Sequence, residues 1–131
     1  MPIAMPLTPT QSKTFAARWY AAWNAHDIDA IMSCYDPSIR HSSPFIKKYN
    51  ASDALYLEGL PAVRDYFARA LERNPTLRFD PQTISTGLES VILTYRRHSH
   101  TTPPRGELSA EVFFLNDDLK IVRSVSHYGE S

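Results

Sequence analysis

The chain has 131 residues, with 14 Lys plus Arg against 14 Asp plus Glu. That length suits one domain with its own buried core. A zero net charge leaves no basic excess to neutralise a phosphate backbone, which argues against nucleic acid as a partner. A single cysteine, Cys34, cannot close an internal disulfide and reads as a small buried apolar residue in a reducing compartment. The first seven residues have neither the basic start nor the long apolar run of a signal peptide. No stretch approaches the ~20 apolar residues that spanning a bilayer requires. The expectation is a cytoplasmic protein without membrane contact, residues 1–7 forming a tail and 8–131 a single domain.

Thr8-Pro9-Thr10-Gln11 reads as a helix start, with Thr8 as cap, Pro9 first in the helix and Gln11 closing a capping box. The helix runs to about His26. Phe15, Trp19 and Trp23 recur every fourth residue and share one face. Asp27 caps a second, short helix from Ile28 to Tyr35, and Asp36-Pro37 ends it. Ile39 to Ser43 is a short strand, and Lys47 to Glu58 reads as a mobile loop. Gly59-Leu60-Pro61 opens a third helix to about Arg73, with Val63, Tyr66, Phe67, Ala70 and Leu71 at helical spacing. Asn74-Pro75 stops it.

The remainder is strand-like. Leu77 to Thr86 contains Pro81, which assigns it to a sheet edge or a bulge. Ser90 to His98, Glu107 to Asn116 and Lys120 to Tyr128 are rich in β-branched and aromatic residues. Ser99 to Gly106 and Asn116-Asp117-Asp118 connect them. Helices first and an antiparallel meander afterwards is an α+β pattern.

Several strings in this order resemble the nuclear transport factor 2-like superfamily, in its SnoaL-like branch. They are Trp19-Tyr-Ala-Ala-Trp-Asn-Ala-His-Asp27, Tyr35-Asp36-Pro37, Ser43-Pro44, Glu58-Gly59, and Ala62-Val63-Arg64-Asp65-Tyr66-Phe67. Val112-Phe-Phe-Leu-Asn116 and Lys120 to Gly129 complete the set. The resemblance implies a cone-shaped curved antiparallel sheet whose helices close a pocket. It also implies a homodimer through the outer sheet face. It fixes no activity, because isomerases, cyclases, dehydratases, hydrolases and plain binders share this architecture. Ketosteroid isomerase, a member of the superfamily, has a tyrosine where this chain has Trp19. It has an aspartate base where this chain has Ser43, and a second aspartate where this chain has Glu111. Only the last keeps its chemistry, so steroid isomerisation is not expected.

Strand alternation points to candidate site residues. Placing the hairpin tip at Pro103-Pro104 sets Arg96 opposite Glu111, Thr94 opposite Phe113 and Ile92 opposite Leu115. Leu93, Tyr95, Val112, Phe114, Val125 and His127 then face outward. Guided by the resemblance, Ser124, Ser126 and Tyr128 face inward on the last strand, as do His41 and Ser43 on the first. The expected constellation has Glu111 as acid or base, His41 as its proton partner near neutral pH, and Arg96 as anion stabiliser. Ser43, Ser126, Trp19, Trp23, Tyr66, Phe113 and Tyr128 would bind substrate. A carboxylate among aromatics must either pair with Arg96 or hold its proton more tightly.

Plainer readings stay open. Arg96 and Glu111 could be an exposed cross-strand pair, His41 a surface residue, and the two tryptophans plain core. His98 and His100 have no acidic or cysteine partner at ligand spacing, so no metal is expected. With no Gly-rich phosphate loop, Gly-x-Ser-x-Gly elbow or Cys/His pair in context, no cofactor is expected either. The function read here is a pocket for a small hydrophobic metabolite, worked by acid–base chemistry in a cofactor-independent isomerase, cyclase, dehydratase or hydrolase. The alternative is a non-catalytic ligand-binding or dimeric interaction module.

Overall fold

The structure, a computed structural model, describes residues 5–50 and 53–129. Helix α1 (Pro9–Asn24) begins with the expected capping box: Gln11 N–H donates to Thr8 Oγ1, and Thr8 N–H donates to Gln11 Oε1. It ends with His26 at φ 54°, a left-handed position that glycine usually fills. The backbone N–H groups of His26 and Asp27 close the end on Trp23 and Ala22 carbonyls. His26 Nε2 lies 2.7 Å from the Leu77 carbonyl oxygen, so that nitrogen must carry the proton and donate. A long-range bond thus holds a histidine where local preference favours glycine. Asp27 then caps α2 (Ile28–Met32) by accepting from Ala30 N–H.

Strand β1 (Tyr35–Ser42) starts four residues before the expected Ile39. Pro37 is tolerated because the pairing with the last strand slips between Tyr35 and Arg40. The Asp36 carboxylate ties that bulge together, accepting from Ser38 N–H, Ser38 Oγ and Asn116 Nδ2. The expected loop from Lys47 to Glu58 is corrected: it holds most of α3 (Ile46–Asn50) and all of β2 (Tyr56–Glu58). Both are too short for a periodic signal, although Ile46 and Tyr49 bury one side of α3. Residues 51 and 52 of that segment, and residues 1–4 of the tail, lie outside the described residues. Helix α4 (Leu60–Arg73) buries Val63, Tyr66 and Phe67 at the expected spacing.

Strands β3 (Arg78–Thr86), β4 (Ser90–His98), β5 (Glu107–Leu115) and β6 (Ile121–Tyr128) complete one curved, open six-stranded sheet in the order β2-β1-β6-β5-β4-β3. The architecture is α+β, with helices in the first half of the chain. One pairing departs from the expected meander: β1 enters from the helical half and runs parallel to β6, while all other neighbours are antiparallel. Pro81 sits on edge strand β3 at a register slip between Pro81 and Thr83, as a residue without an N–H requires. The core lies between the helices and the concave face, with Trp19 at its centre. Its indole stacks on Phe79 at 5.3 Å and meets Phe113 edge-on at 5.1 Å.

The β4–β5 register differs from the sequence reading, and the difference matters for the site. Leu93 pairs with Glu111, Arg96 with Leu108 and Arg97 with Glu107, so paired numbers sum to 204 rather than 207. Two consecutive turns form the connection, Thr102 N–H bonding Ser99 O and Gly106 N–H bonding Pro103 O. They centre the hairpin ahead of the two prolines. An odd shift turns every side chain of a strand to the other face. Leu93 and Tyr95 are therefore buried on the concave side, against the expectation that they face outward.

Gly106 ends this connection at φ +80°, and a Cβ there would meet Arg96 Cβ at 3.1 Å. Gly106→Ala should cost about 1 kcal/mol or more in urea-unfolding stability. Stability equal to that of the native chain would contradict this account of the hairpin.

Candidate active site

Three cross-sheet rows on the concave face build the site. Tyr95, Ser109 and Tyr128 form one, and Leu93, Glu111 and Ser126 the next. Val91, Phe113, Ser124 and His41 form the third. Helices α1, α3 and α4 close over them and leave a cavity of about 40 Å³, lined mainly by aromatic rings. Space on that scale suits a few waters or a small fragment. A larger ligand enters only if side chains move.

Glu111 lies on the cavity wall and is 5% exposed. Ser126 Oγ donates to its Oε1 at 2.5 Å, and Tyr95 Oη donates to the same oxygen at 3.4 Å. Among the described residues it has no ion-pair partner. Burial raises its pKa from 4.5 to about 7, and the two hydroxyl bonds offset only part of that rise. Both protonation states are thus accessible near neutral pH, as acid–base chemistry requires.

The phenols around it are held protonated. Burial, and then the Glu111 charge, push Tyr35, Tyr95 and Tyr128 above the usual range. Tyr66 is raised chiefly by burial, and its hydroxyl donates to Ser43 Oγ at 3.3 Å. Trp19 Nε1 donates to Tyr35 Oη at 3.2 Å. Trp23 Nε1 is also directed at that hydroxyl, in poorer geometry, and like Trp19 lowers the Tyr35 pKa slightly against the rise from burial. The cavity therefore has several hydroxyl groups and two indole N–H groups directed at one of them, Tyr35 Oη.

Of the expected catalytic group, Glu111 and His41 line the cavity and Arg96 does not. Arg96 is corrected to the convex face by the shifted register, and Arg97 takes the inward position. His41 is corrected in its role. Burial lowers its pKa from 6.5 to about 3, so near neutral pH it is an uncharged hydrogen-bonding group, with Nδ1 at 2.6 Å from Ser124 Oγ. Trp19, Trp23, Tyr66, Ser126 and Tyr128 line the cavity. Ser43 lies behind it, holding the Tyr66 hydroxyl, and Phe113 is fully buried beneath Trp19. The sequence reading missed Tyr95, Arg97, Asn74, Phe45 and Tyr49. Correct hairpin parity would have found the first two. The others sit at a helix stop (Asn74), in a helix of five residues (Tyr49) and in the turn just before it (Phe45).

Glu111 and His41 bias stability in opposite directions with pH. A folded-state pKa above the unfolded one means the native state holds the proton more tightly. The Glu111 contribution is therefore fully present below pH 4.5 and lost as pH rises through about 7. The His41 contribution is present above pH 6.5 and lost as pH falls through about 3. Glu111→Gln removes only the first. Its stability relative to the native chain should rise by about 3 kcal/mol between pH 4.5 and 7 in urea unfolding. A difference that does not change with pH would contradict the burial of an unpaired carboxyl.

Comparison with known proteins agrees with this architecture. The family model for the SnoaL-like domain matches residues 16–124. A SnoaL-like protein of unknown function from Burkholderia thailandensis is 34% identical, with 95% of this chain and 98% of that chain covered at a TM-score of 0.84. A protein of the SnoaL-like family from Agrobacterium tumefaciens, provisionally named an isomerase, is 20% identical over 92% of this chain and 98% of that one, at a TM-score of 0.70. A protein from Sinorhizobium meliloti, provisionally named a polyketide cyclase, is 12% identical over 92% of this chain and 100% of its own, at a TM-score of 0.72. The last two likenesses establish the fold alone. No curated protein matches the chain. The matched domain, the close solved relative and the helix-capped open sheet together make this chain a member of the SnoaL-like family.

Proposed function

We propose that the protein is a cofactor-independent acid–base catalyst acting on a small hydrophobic molecule with a carbonyl or ring system. The observation that carries this reading is Glu111: a carboxyl buried in an aromatic cavity, bonded to Ser126 and Tyr95, with a pKa of about 7. In its ionised form Glu111 removes a proton from a carbon beside the carbonyl. A cavity phenol other than Tyr95, such as Tyr128 or Tyr35, donates to the oxygen that gains charge. In its protonated form Glu111 returns the proton, so one residue serves both halves of an isomerisation or ring closure. His41 takes part as a neutral donor or acceptor. Trp19, Trp23, Tyr66 and Tyr128 shape the apolar walls. Similarity to the SnoaL-like family protein provisionally named an isomerase, and to the protein provisionally named a polyketide cyclase, is consistent with this class of chemistry.

A second reading, binding without turnover, draws on what replaces the isomerase groups. The Trp19 indole is spent on Tyr35, and Ser43 on Tyr66. Screening carbonyl-bearing ring compounds for both thermal shift and product separates the two. Under the catalytic reading, product forms with the native chain and the rate falls by about a hundredfold or more in Glu111→Gln, while binding persists. Binding with no product from any compound would leave only the second reading.

We assign the convex sheet face to a homodimer. After the register correction its apolar residues include Ile92 and Leu108, exposed to 42% and 40%, beside half-buried Val112, Phe114 and Val125. Among the described residues no helix is long and apolar enough to cross a membrane, and free, buried Cys34 suits the reducing cytoplasm that we assign. Light scattering on a sizing column should give twice the chain mass, and Leu108→Asp should shift it toward monomer. A native chain that elutes as a stable monomer would contradict the dimer.

A further inference from the structure

A second hollow, of about 370 Å³, adjoins the cavity between α3, the end of α4 and the β4–β5 connection. Phe45, Tyr49, Asn74 and Arg97 line both spaces and so form the wall between them. The outer hollow is cationic. Lys48, Arg73, Arg97 and His100 line it, with Glu107 the only acidic lining residue among the described residues. The cations are arrayed on aromatic faces: Lys48 Nζ is 5.9 Å from the Phe45 and Tyr49 ring centres, and Arg73 Cζ is 5.3 Å from Tyr49.

Arg97 is the informative residue. Its side chain is only 8% exposed. Its guanidinium lies 5.2 Å from the Phe45 ring centre and 6.0 Å from that of Tyr128. Its hydrogen bonds to side-chain oxygens, however, are long: 3.4 Å to Glu107 Oε1 and 3.5 Å to Asn74 Oδ1. Charge-assisted bonds of this type normally close to about 2.7–2.9 Å, and a guanidinium offers five N–H donors in a planar fork. A buried cation so loosely held by its neighbours keeps donor capacity for a planar anion.

We infer that Arg97 and the cationic hollow around it form a carboxylate-recognition site, so that the ligand is an apolar ring compound bearing a carboxylate. The carboxylate would rest on the Arg97 fork at the wall, with Lys48 and Arg73 drawing it in from solvent. The ring system would lie on Phe45 and Tyr128, which stack at 4.3 Å, and project toward Glu111. Arg97 and Tyr95 are successive inward residues of β4, and Tyr95 bonds Glu111. The strand thus places anion recognition about 7 Å along the backbone from the phenol that touches the proposed acid–base group. This inference names the substrate class of the site under Proposed function and rests on that reading for the role of Glu111.

The test uses matched acids and amides, benzoate with benzamide and naphthoate with naphthamide, titrated by calorimetry into the full chain. At least one acid should bind about tenfold or more tightly than its amide, a preference of the size that a charge-assisted pair supplies. Arg97→Met should reduce that ratio to near one. Because Arg97→Met could unfold the chain, Lys48→Gln with Arg73→Gln provides an exposed pair of changes. These should weaken acid binding several-fold and leave amide binding unchanged. Equal binding of acid and amide, no binding by any acid into the millimolar range, or a preference untouched by these variants would overturn the inference. The same titrations in Glu111→Gln should keep the acid preference. Anion recognition and Glu111 chemistry can therefore fail separately.

Discussion

Burial of a carboxyl group without a counter-ion is the constraint on which this structure turns. Glu111 has given up water for two hydroxyl donors and a ring of aromatic side chains. Hydroxyl bonds stabilise the anion less than a cation at contact distance would, so the proton is retained to about pH 7. The surrounding phenols are raised in turn, partly by the Glu111 charge, and remain donors. Burial thus sets the protonation pattern of the cavity, and the Glu111 charge reinforces it at the phenols. The sheet makes this possible by placing Ser126 directly across from Glu111 and Tyr95 on the diagonal.

The aromatic shell has a structural role as well as a chemical one. Trp19 contacts Tyr20, Trp23, Phe79, Tyr95 and Phe113, joining α1 to the strands beneath it. Core tryptophan and cavity wall are therefore one description of Trp19 rather than two alternatives. Its indole N–H donates to Tyr35 and thereby orients a second phenol at the cavity. The remaining space is small because these rings pack against one another. On the wall shared with the outer hollow, Phe45 is only partly buried.

Much of the fold was legible in the sequence because its signals were local. The Thr8–Gln11 box, the four-residue spacing of Phe15, Trp19 and Trp23, and Pro81 on an edge strand each state their structure within a few residues. Alternation along β6, its phase set by the family resemblance, placed Ser124 and Ser126 inward. The β4 register was not local. It depends on where an eight-residue connection turns, and the two prolines mark its later turn rather than its centre. A three-residue error there exchanged Arg96 for Arg97 and hid Tyr95. The state of His41 was unreadable for a different reason. Burial by α4, through Tyr66 and Phe67, decides its charge, and no spacing in β1 records that.

Direct titration of Glu111 tests the central claim most plainly. Carboxyl carbon chemical shifts of glutamate-labelled protein, assigned by comparison with Glu111→Gln, would follow this one group across the pH range. The account predicts a midpoint near 7. A midpoint at the ordinary value of 4.5 would mean that the group is solvated or paired, and would contradict the account.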